Sequence, residues 1–215
     1  MSKSLLRISE IFYSIQGESS YAGWPTVFIR LTGCPLRCHY CDTAYAFKGG
    51  SRLSLPDILE KVTAYSTRYV TVTGGEPLAQ PHCFELLKLL CEKQYNVSLE
   101  TSGALSIEHV DSRVMIVLDL KTPSSGECDK NLFTNLPFLK TTDQIKFVIG
   151  NREDFDWTCE IVKQYQLEKS STLFFSPVWE SLSPGLLADW LLESKIHARL
   201  QVQLHKILWG EEQGR

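Results

Sequence analysis

Short runs of β-branched and aromatic residues alternate along this chain with longer segments whose apolar residues recur every three or four positions. The runs predict strands at Thr26–Leu31, Tyr69–Thr73, Val97–Thr101, Val114–Leu120, Gln144–Ile149 and Thr172–Ser176. Between them, Phe84, Leu86, Leu87, Leu89 and Leu90 make a dense apolar face behind Pro81. Asp154, Trp157, Ile161, Val162 and Tyr165 recur at helical steps, as do Leu186, Leu187, Trp190 and Leu191 after Ser183-Pro184. Single helices between successive strands imply β-α-β units, a parallel sheet and right-handed crossovers. The expected class is α/β. Ligands in such folds bind beyond the carboxyl ends of the strands. Small polar clusters stand there: Thr73-Gly74-Gly75, Glu100-Thr101-Ser102-Gly103 and Pro123-Ser124-Ser125-Gly126.

The length of 215 residues points to one domain, 1–215. A closed eight-fold β/α barrel usually takes about 250 residues and at least about 200. Six predicted strands therefore favour a partial, open barrel of about six mostly parallel strands. With 43% apolar and 22% charged residues the chain is not of the disordered class. A net charge of −3 gives no footprint for nucleic acid. The longest apolar run, Val114 to Leu118, falls far short of the ~20 residues of a membrane span. Arg7, Ser9 and Glu10 interrupt Met1 to Phe12, so no export segment is read there.

Seven cysteines are an odd number, and three of them fall within eight residues. This is not the even spread of a disulfide framework, and it suits a reduced, cytoplasmic protein using thiols for metal or chemistry. Cys34, Cys38 and Cys41 give the spacing C-x3-C-x2-C on a loop after the first predicted strand. Three thiolates are one short of a closed zinc site. On a four-iron cluster they would leave one iron open to an outside ligand. Zinc completed by His39 or a distant cysteine stays the alternative. Cys83 and Cys91 lie in an apolar helix and read as small core residues.

C-x3-C-x2-C with an aromatic residue, Tyr40, before its third cysteine, followed by Thr73-Gly74-Gly75-Glu76-Pro77, resembles the signature of radical S-adenosylmethionine enzymes. More narrowly, four further elements resemble the 7-carboxy-7-deazaguanine synthase family of queuosine biosynthesis. They are Tyr13-Ser14-Ile15-Gln16-Gly17-Glu18, Phe28-Ile29-Arg30-Leu31, Cys41-Asp42-Thr43 and Gln203-Leu204-His205-Lys206. One departure is visible: the family usually reads Gln-Gly-Glu-Gly, and Ser19 stands in place of the last glycine. A serine there is strained if the position needs a positive φ.

The resemblance implies a lyase that contracts the ring of 6-carboxy-5,6,7,8-tetrahydropterin to 7-carboxy-7-deazaguanine with loss of ammonia. It implies a 4Fe-4S cluster on Cys34, Cys38 and Cys41, S-adenosylmethionine, and Mg2+ at Thr43. No side chain is implied as catalytic beyond the cofactor-derived radical. The cofactor would lie against Tyr40, Asp42, Gly74, Gly75, Glu76, Ser102, Lys121, Ser124, Ser176, Pro177, Val178 and Trp179, with Glu76 accepting from its ammonium. The substrate would lie against Ile15, Gln16, Gly17, Glu18, Arg30, Thr73 and His205, with the segment from about residue 6 to 24 contributing to its pocket. An arginine inside the apolar run Val27 to Leu31 needs a carboxylate partner. The pterin carboxylate is the expected one. Implied partners are this small molecule, an electron donor such as flavodoxin or ferredoxin, and a second copy in a homodimer. No nucleic acid and no membrane are expected. Alternatives are a glycyl-radical-enzyme activating enzyme of the same superfamily, or a zinc-stapled binding module.

Overall fold

The computed structural model describes residues 4–215, so the first three residues of the predicted domain lie outside the described residues. Nine strands form one sheet: β1 (Leu5–Ile15), β2 (Pro25–Leu31), β3 (Ser51–Ser54), β4 (Tyr69–Gly74), β5 (Asn96–Thr101), β6 (Met115–Leu120), β7 (Gln144–Ile149), β8 (Thr172–Pro177) and β9 (Arg199–Leu200). Their spatial order is β3-β1-β2-β4-β5-β6-β7-β8-β9. From β2 to β9 every pairing is parallel, whereas β1 runs antiparallel to both β2 and β3. The six predicted strands are the six central ones, each within a residue or so. The cysteine loop follows β2, which is the second strand, not the first.

Three strands were not predicted. In β1 the alternation of buried and open residues is clean only over Leu5 to Ile8. A register shift between Ile8 and Glu10 then resets it. β3 and β9 are too short to show a period.

The helices are α1 (Leu55–Thr63), α2 (Cys83–Glu92), α3 (Arg152–Gln164), α4 (Pro184–Ser194) and α5 (Leu204–Trp209). α1 starts at a capping box: Ser54 Oγ accepts from the Asp57 N–H while Asp57 accepts from the Ser54 N–H. α3 is capped by Asn151, whose side chain accepts from the Asp154 N–H. Among the described residues no helix is long and apolar enough to cross a membrane.

Period-2 alternation divides the work of each central strand. Val27, Ile29, Leu31, Val70, Val72, Leu99, Leu118, Ile145 and Phe147 face the helices and are fully or almost fully buried. They pack with Ile58 and Val62 of α1, Leu86, Leu87 and Leu90 of α2, and Phe155 and Val162 of α3. The opposite, concave face carries Arg30, Thr73, Glu100, Asp119 and Lys146, which line the main cavity. One face builds the core and the other builds a site.

Candidate active site

The two sequence motifs are stapled together by backbone. Beyond β4, the Gly75 N–H donates to Leu31 O at 3.1 Å and the Glu76 N–H to Gly33 O at 2.8 Å. The fit is close because side chains are absent. A Cβ on Gly75 would stand 2.2 Å from Gly33 O and 2.8 Å from Cys34 Cβ. Gly74, at φ +155, would drive a Cβ to 2.3 Å from Leu31 O. The glycines thus bring the strand end against the root of the cysteine loop.

Glu76 departs from its expected role. It is fully buried and does not reach the cavity wall. One carboxylate oxygen accepts from the Leu78 N–H and Thr101 Oγ1, and the other from the Ser102 N–H (2.8 Å) and Ser102 Oγ (2.5 Å). With four protein donors satisfying it, the carboxylate braces β4 to β5 and is closed to a ligand ammonium.

Cys34, Cys38 and Cys41 are free, half-buried and all open onto one cavity of about 670 Å³. Burial pushes all three thiols up, Cys38 to about 11. The ammonium of Lys121, itself on the cavity wall, opposes that rise at each of them. Among the described residues no group of three His, Cys, Asp or Glu side chains is gathered tightly enough for one metal ion. Three thiols on one cavity are one short of a closed zinc shell, and on a four-iron cluster they would leave one iron open. His39 does not complete such a shell: its Nδ1 lies 3.1 Å from Ser124 O, and its ring packs on Gly126.

On the cofactor side, Tyr40, Asp42, Gly74, Gly75, Ser102, Lys121, Val178 and Trp179 reach the cavity wall. Burial raises the Tyr40 phenol to about 12, and its hydroxyl lies 3.2 Å from Thr122 Oγ1. Besides Glu76, three predicted residues do not reach the wall. Ser124 turns its N–H and hydroxyl to Asp154 of α3 instead. Ser176, with its Oγ buried and unpartnered, and Pro177 do not line the cavity, whereas Val178 just beyond the strand does.

On the substrate side, Ile15, Gln16, Glu18, Arg30, Thr73 and His205 line the cavity together with Thr43. Gly17 does not, and supports His205 from behind. Arg30 already has a carboxylate partner. Its Nε donates to Glu10 at 2.7 Å, and Tyr45 donates to the same oxygen at 2.8 Å. Gln16 Nε2 donates to Thr71 Oγ1 at 3.0 Å and to Glu100 at 3.3 Å, while Thr73 Oγ1 donates to Glu100 at 2.8 Å. Thr43 Oγ1 donates to Asp42 at 2.7 Å, so a hydroxyl and a carboxylate share one corner. Lys206 Nζ stands 3.6 Å from that carboxylate.

Beneath this ring is a buried chain of charges. Lys146 Nζ pairs with Glu18 at 2.7 Å and Asp119 at 3.2 Å, and Lys121 also pairs with Asp119 at 3.2 Å. Gln203 donates to the second oxygen of Glu18 at 2.7 Å. Burial alone would raise the Glu18 and Asp119 carboxyls, but the lysines hold both below their ordinary values. Burial would lower Lys146, and its two carboxylates carry it well above. Among the described residues Glu100 has no cation within ion-pair distance, and burial and the Glu18 charge raise it. His205 is pushed down by burial.

Glu100, Asp119 and Lys146 escaped sequence reasoning, as did Glu10. A signal was present: Val97 to Thr101, Met115 to Leu120 and Gln144 to Ile149 each carry one charge amid apolar residues. Strand alternation places all three on the concave face, with Asp119 and Lys146 as register partners.

Known proteins resemble this chain in sequence and in fold. The model of the radical SAM superfamily matches residues 28–175. The 7-carboxy-7-deazaguanine synthase of Chlorobaculum tepidum is 41% identical over 96% of both chains. That of Thermoplasma acidophilum is 36% identical over 96% of this chain and 99% of its own. The crystal structure of QueE from Escherichia coli superposes with a TM-score of 0.78 at 24% identity, over 94% of this chain and 95% of that one.

Proposed function

The chain belongs to the radical SAM superfamily and within it to the 7-carboxy-7-deazaguanine synthases, and from that premise we propose how its residues serve the reaction. It is a radical SAM lyase. The reading is contraction of the 6-carboxy-5,6,7,8-tetrahydropterin ring to 7-carboxy-7-deazaguanine with loss of ammonia, within queuosine biosynthesis. The observation that carries it is that the three cysteines and the ring of Gln16, Arg30, Thr73 and His205 face one cavity. When bound, a 4Fe-4S cluster with S-adenosylmethionine supplies a radical that takes a hydrogen atom from the substrate.

Cys34, Cys38 and Cys41 hold the cluster, and Lys121 offsets its negative charge from the cavity side. Tyr40, Ser102, Val178 and Trp179 flank the S-adenosylmethionine space. Arg30, fixed at Nε by Glu10, presents its remaining guanidinium N–H groups to the pterin carboxylate. Gln16, Glu18 and Glu100 supply amide and carboxylate groups for the guanidine-like pterin edge. Thr43, beside Asp42, offers the hard oxygen that Mg2+ prefers while it keeps its waters.

The protein acts as a single domain, in which the segment from about residue 6 to 24 helps form the pocket. It works in the cytoplasm as a homodimer with a flavodoxin or ferredoxin as reductant. Seven free cysteines support a reducing compartment. A glycyl-radical activating role is not favoured, since it has no use for the ring around Arg30 and Gln16.

Anaerobic reconstitution tests the reading. Four irons per chain and pterin-dependent formation of the deazaguanine product are expected. Stoichiometric zinc without iron overturns it. In Arg30→Ala the expected result is a raised KM for the pterin at unchanged iron content.

A further inference from the structure

Outside the cavity, against the root of the cysteine loop, is a second recess of about 420 Å³ lined by Leu5, Arg7, Thr32, Arg52, Gln80 and His82. Arg7 on β1 and Arg52 on β3 are direct register partners across an antiparallel ladder, and both are exposed. Like charges placed opposite one another destabilise a sheet. Here nothing on the chain compensates them: among the described residues neither arginine stands within ion-pair distance of a carboxylate. Arg7 spends one N–H on Gly49 O at 3.4 Å, and the residue before that glycine is the exposed Lys48. The nearest carboxylate pairing on the recess is Glu85 with His82, at 3.6 Å. A chain with a net charge of −3 has thus gathered a positive patch at one place. Protection of an open sheet edge accounts for Arg52 on the edge strand β3. It does not account for Arg7, which lies one strand in.

The recess is tied to the cluster loop through Thr32. Its N–H donates to Arg7 O at 2.9 Å, and its carbonyl accepts from Gln80 Nε2 at 2.9 Å. Cys34 is two residues further on, so the two Cα atoms are at most about 7 Å apart. The other side of the cysteines faces the cavity that cofactor and substrate share.

We infer that this basic recess is the docking surface for an acidic one-electron carrier protein, an inference that rests on the radical SAM reading above. Docked there, a carrier sits behind the first cysteine and leaves the substrate cavity undisturbed. The step is a single electron transfer. The carrier is oxidised by one electron and the cluster reduced by one, with no bond made or broken. Opposite charges steer such encounters and give them a steep salt dependence.

The test uses reconstituted full-length protein, flavodoxin as the acidic carrier and dithionite as a small chemical reductant. In the double variant Arg7→Glu with Arg52→Glu, flavodoxin binding measured by calorimetry is expected to weaken at least about tenfold, with a flattened salt dependence. The KM for flavodoxin rises in step, while dithionite-driven turnover and iron content stay as in the unaltered protein. The double variant Arg7→Gln with Arg52→Gln, which removes charge without reversing it, gives a smaller shift in the same direction. Unchanged flavodoxin affinity in both variants overturns the inference. So does loss of iron in both, which makes the pair a structural element. Failure of the radical SAM reading looks different: the unaltered protein then gives no product with either reductant.

Discussion

A Cβ on Gly17 would stand 2.0 Å from Nδ1 of His205 and 2.8 Å from its Cγ. The Leu204 N–H donates to Gly17 O at 3.0 Å, so α5 is seated directly on this residue. Gly17 is not at a positive φ. Glycine is needed there for room. Gly17→Ala is therefore expected to displace the imidazole, costing about 1–3 kcal/mol of stability and at least about tenfold in kcat/KM. Iron content should not change. Denaturant melts, pterin kinetics and an iron assay read the three effects separately.

Gly75→Ala strikes the other end of the site. Its Cβ would meet the Gly33 carbonyl and Cys34, backbone and ligand root that have no room to yield. The expected outcome is a protein that folds yet reconstitutes with less than half the iron of the unaltered chain. Iron at full occupancy would mean that the loop can shift without losing its cluster.

Lys146 holds two buried carboxylates, Glu18 and Asp119. Lys146→Met leaves both without that cation, and breaking a buried ion pair from one side costs about 3–5 kcal/mol. Adding Glu18→Gln to Lys146→Met should recover part of that loss, since one buried charge is then gone. A double-mutant cycle in urea measures the coupling.

Glu100 carries the opposite dependence on pH from its neighbours. Its pKa is raised above the ordinary 4.5, so the folded state holds its proton more tightly than the unfolded chain does. That leaves no penalty at low pH and a penalty that grows as the pH rises. Glu100→Gln should raise Tm by a few degrees at pH 8 and by less at pH 5. Glu18 and Asp119 are lowered, so the stability they give is present above their ordinary values and fades as the pH falls through that range. This acid limb should survive in Glu100→Gln. Thermal melts across pH check both signs.

Ser19 sits at φ 64, in the left-handed region. The strain foreseen from the family pattern is present. It is held by Gln201, which accepts from the Ser19 N–H at 2.6 Å and donates to its carbonyl at 3.0 Å, and by Ser19 Oγ accepting from the Tyr21 N–H. Ser19→Ala keeps the strain and loses that acceptor, so it should cost about 1 kcal/mol. Ser19→Gly relieves the strain while losing the same bond, and should fall within about 0.5 kcal/mol of the unaltered chain. Equilibrium unfolding ranks the three.

The parallel core of the sheet was legible because β2, β4, β5, β6, β7 and β8 are compact runs rich in β-branched and apolar residues. β1 was not, because a bulge near Ser9 breaks its period and Glu10 faces Arg30 across the ladder. The cysteine loop was legible from spacing alone. The role of Glu76 was not, because the carboxylate's four donors include Thr101 and Ser102, brought to it by tertiary structure. The buried chain from Glu18 through Lys146 to Asp119 joins three distant segments. Only strand register discloses it, although the isolated charges in β5, β6 and β7 were in plain view.

The root of the cysteine loop is supported by β1, β2, β4 and the turn after Gly74, and its middle by the stretch after β6, where Ser125 O accepts from the His39 N–H and Glu127 from the Arg37 N–H. The ring that closes over the cavity draws His205 and Lys206 from α5 and Gln203 from just ahead of it. During synthesis the loop's scaffold therefore emerges well before the pocket can shut. A nascent chain stalled ahead of Gln203 already has these supports, and none of the contacts that Gln203 and Lys206 make with Glu18 and Asp42. The contacts that shape the loop and those that close the ring over the cavity are thereby separated along the chain.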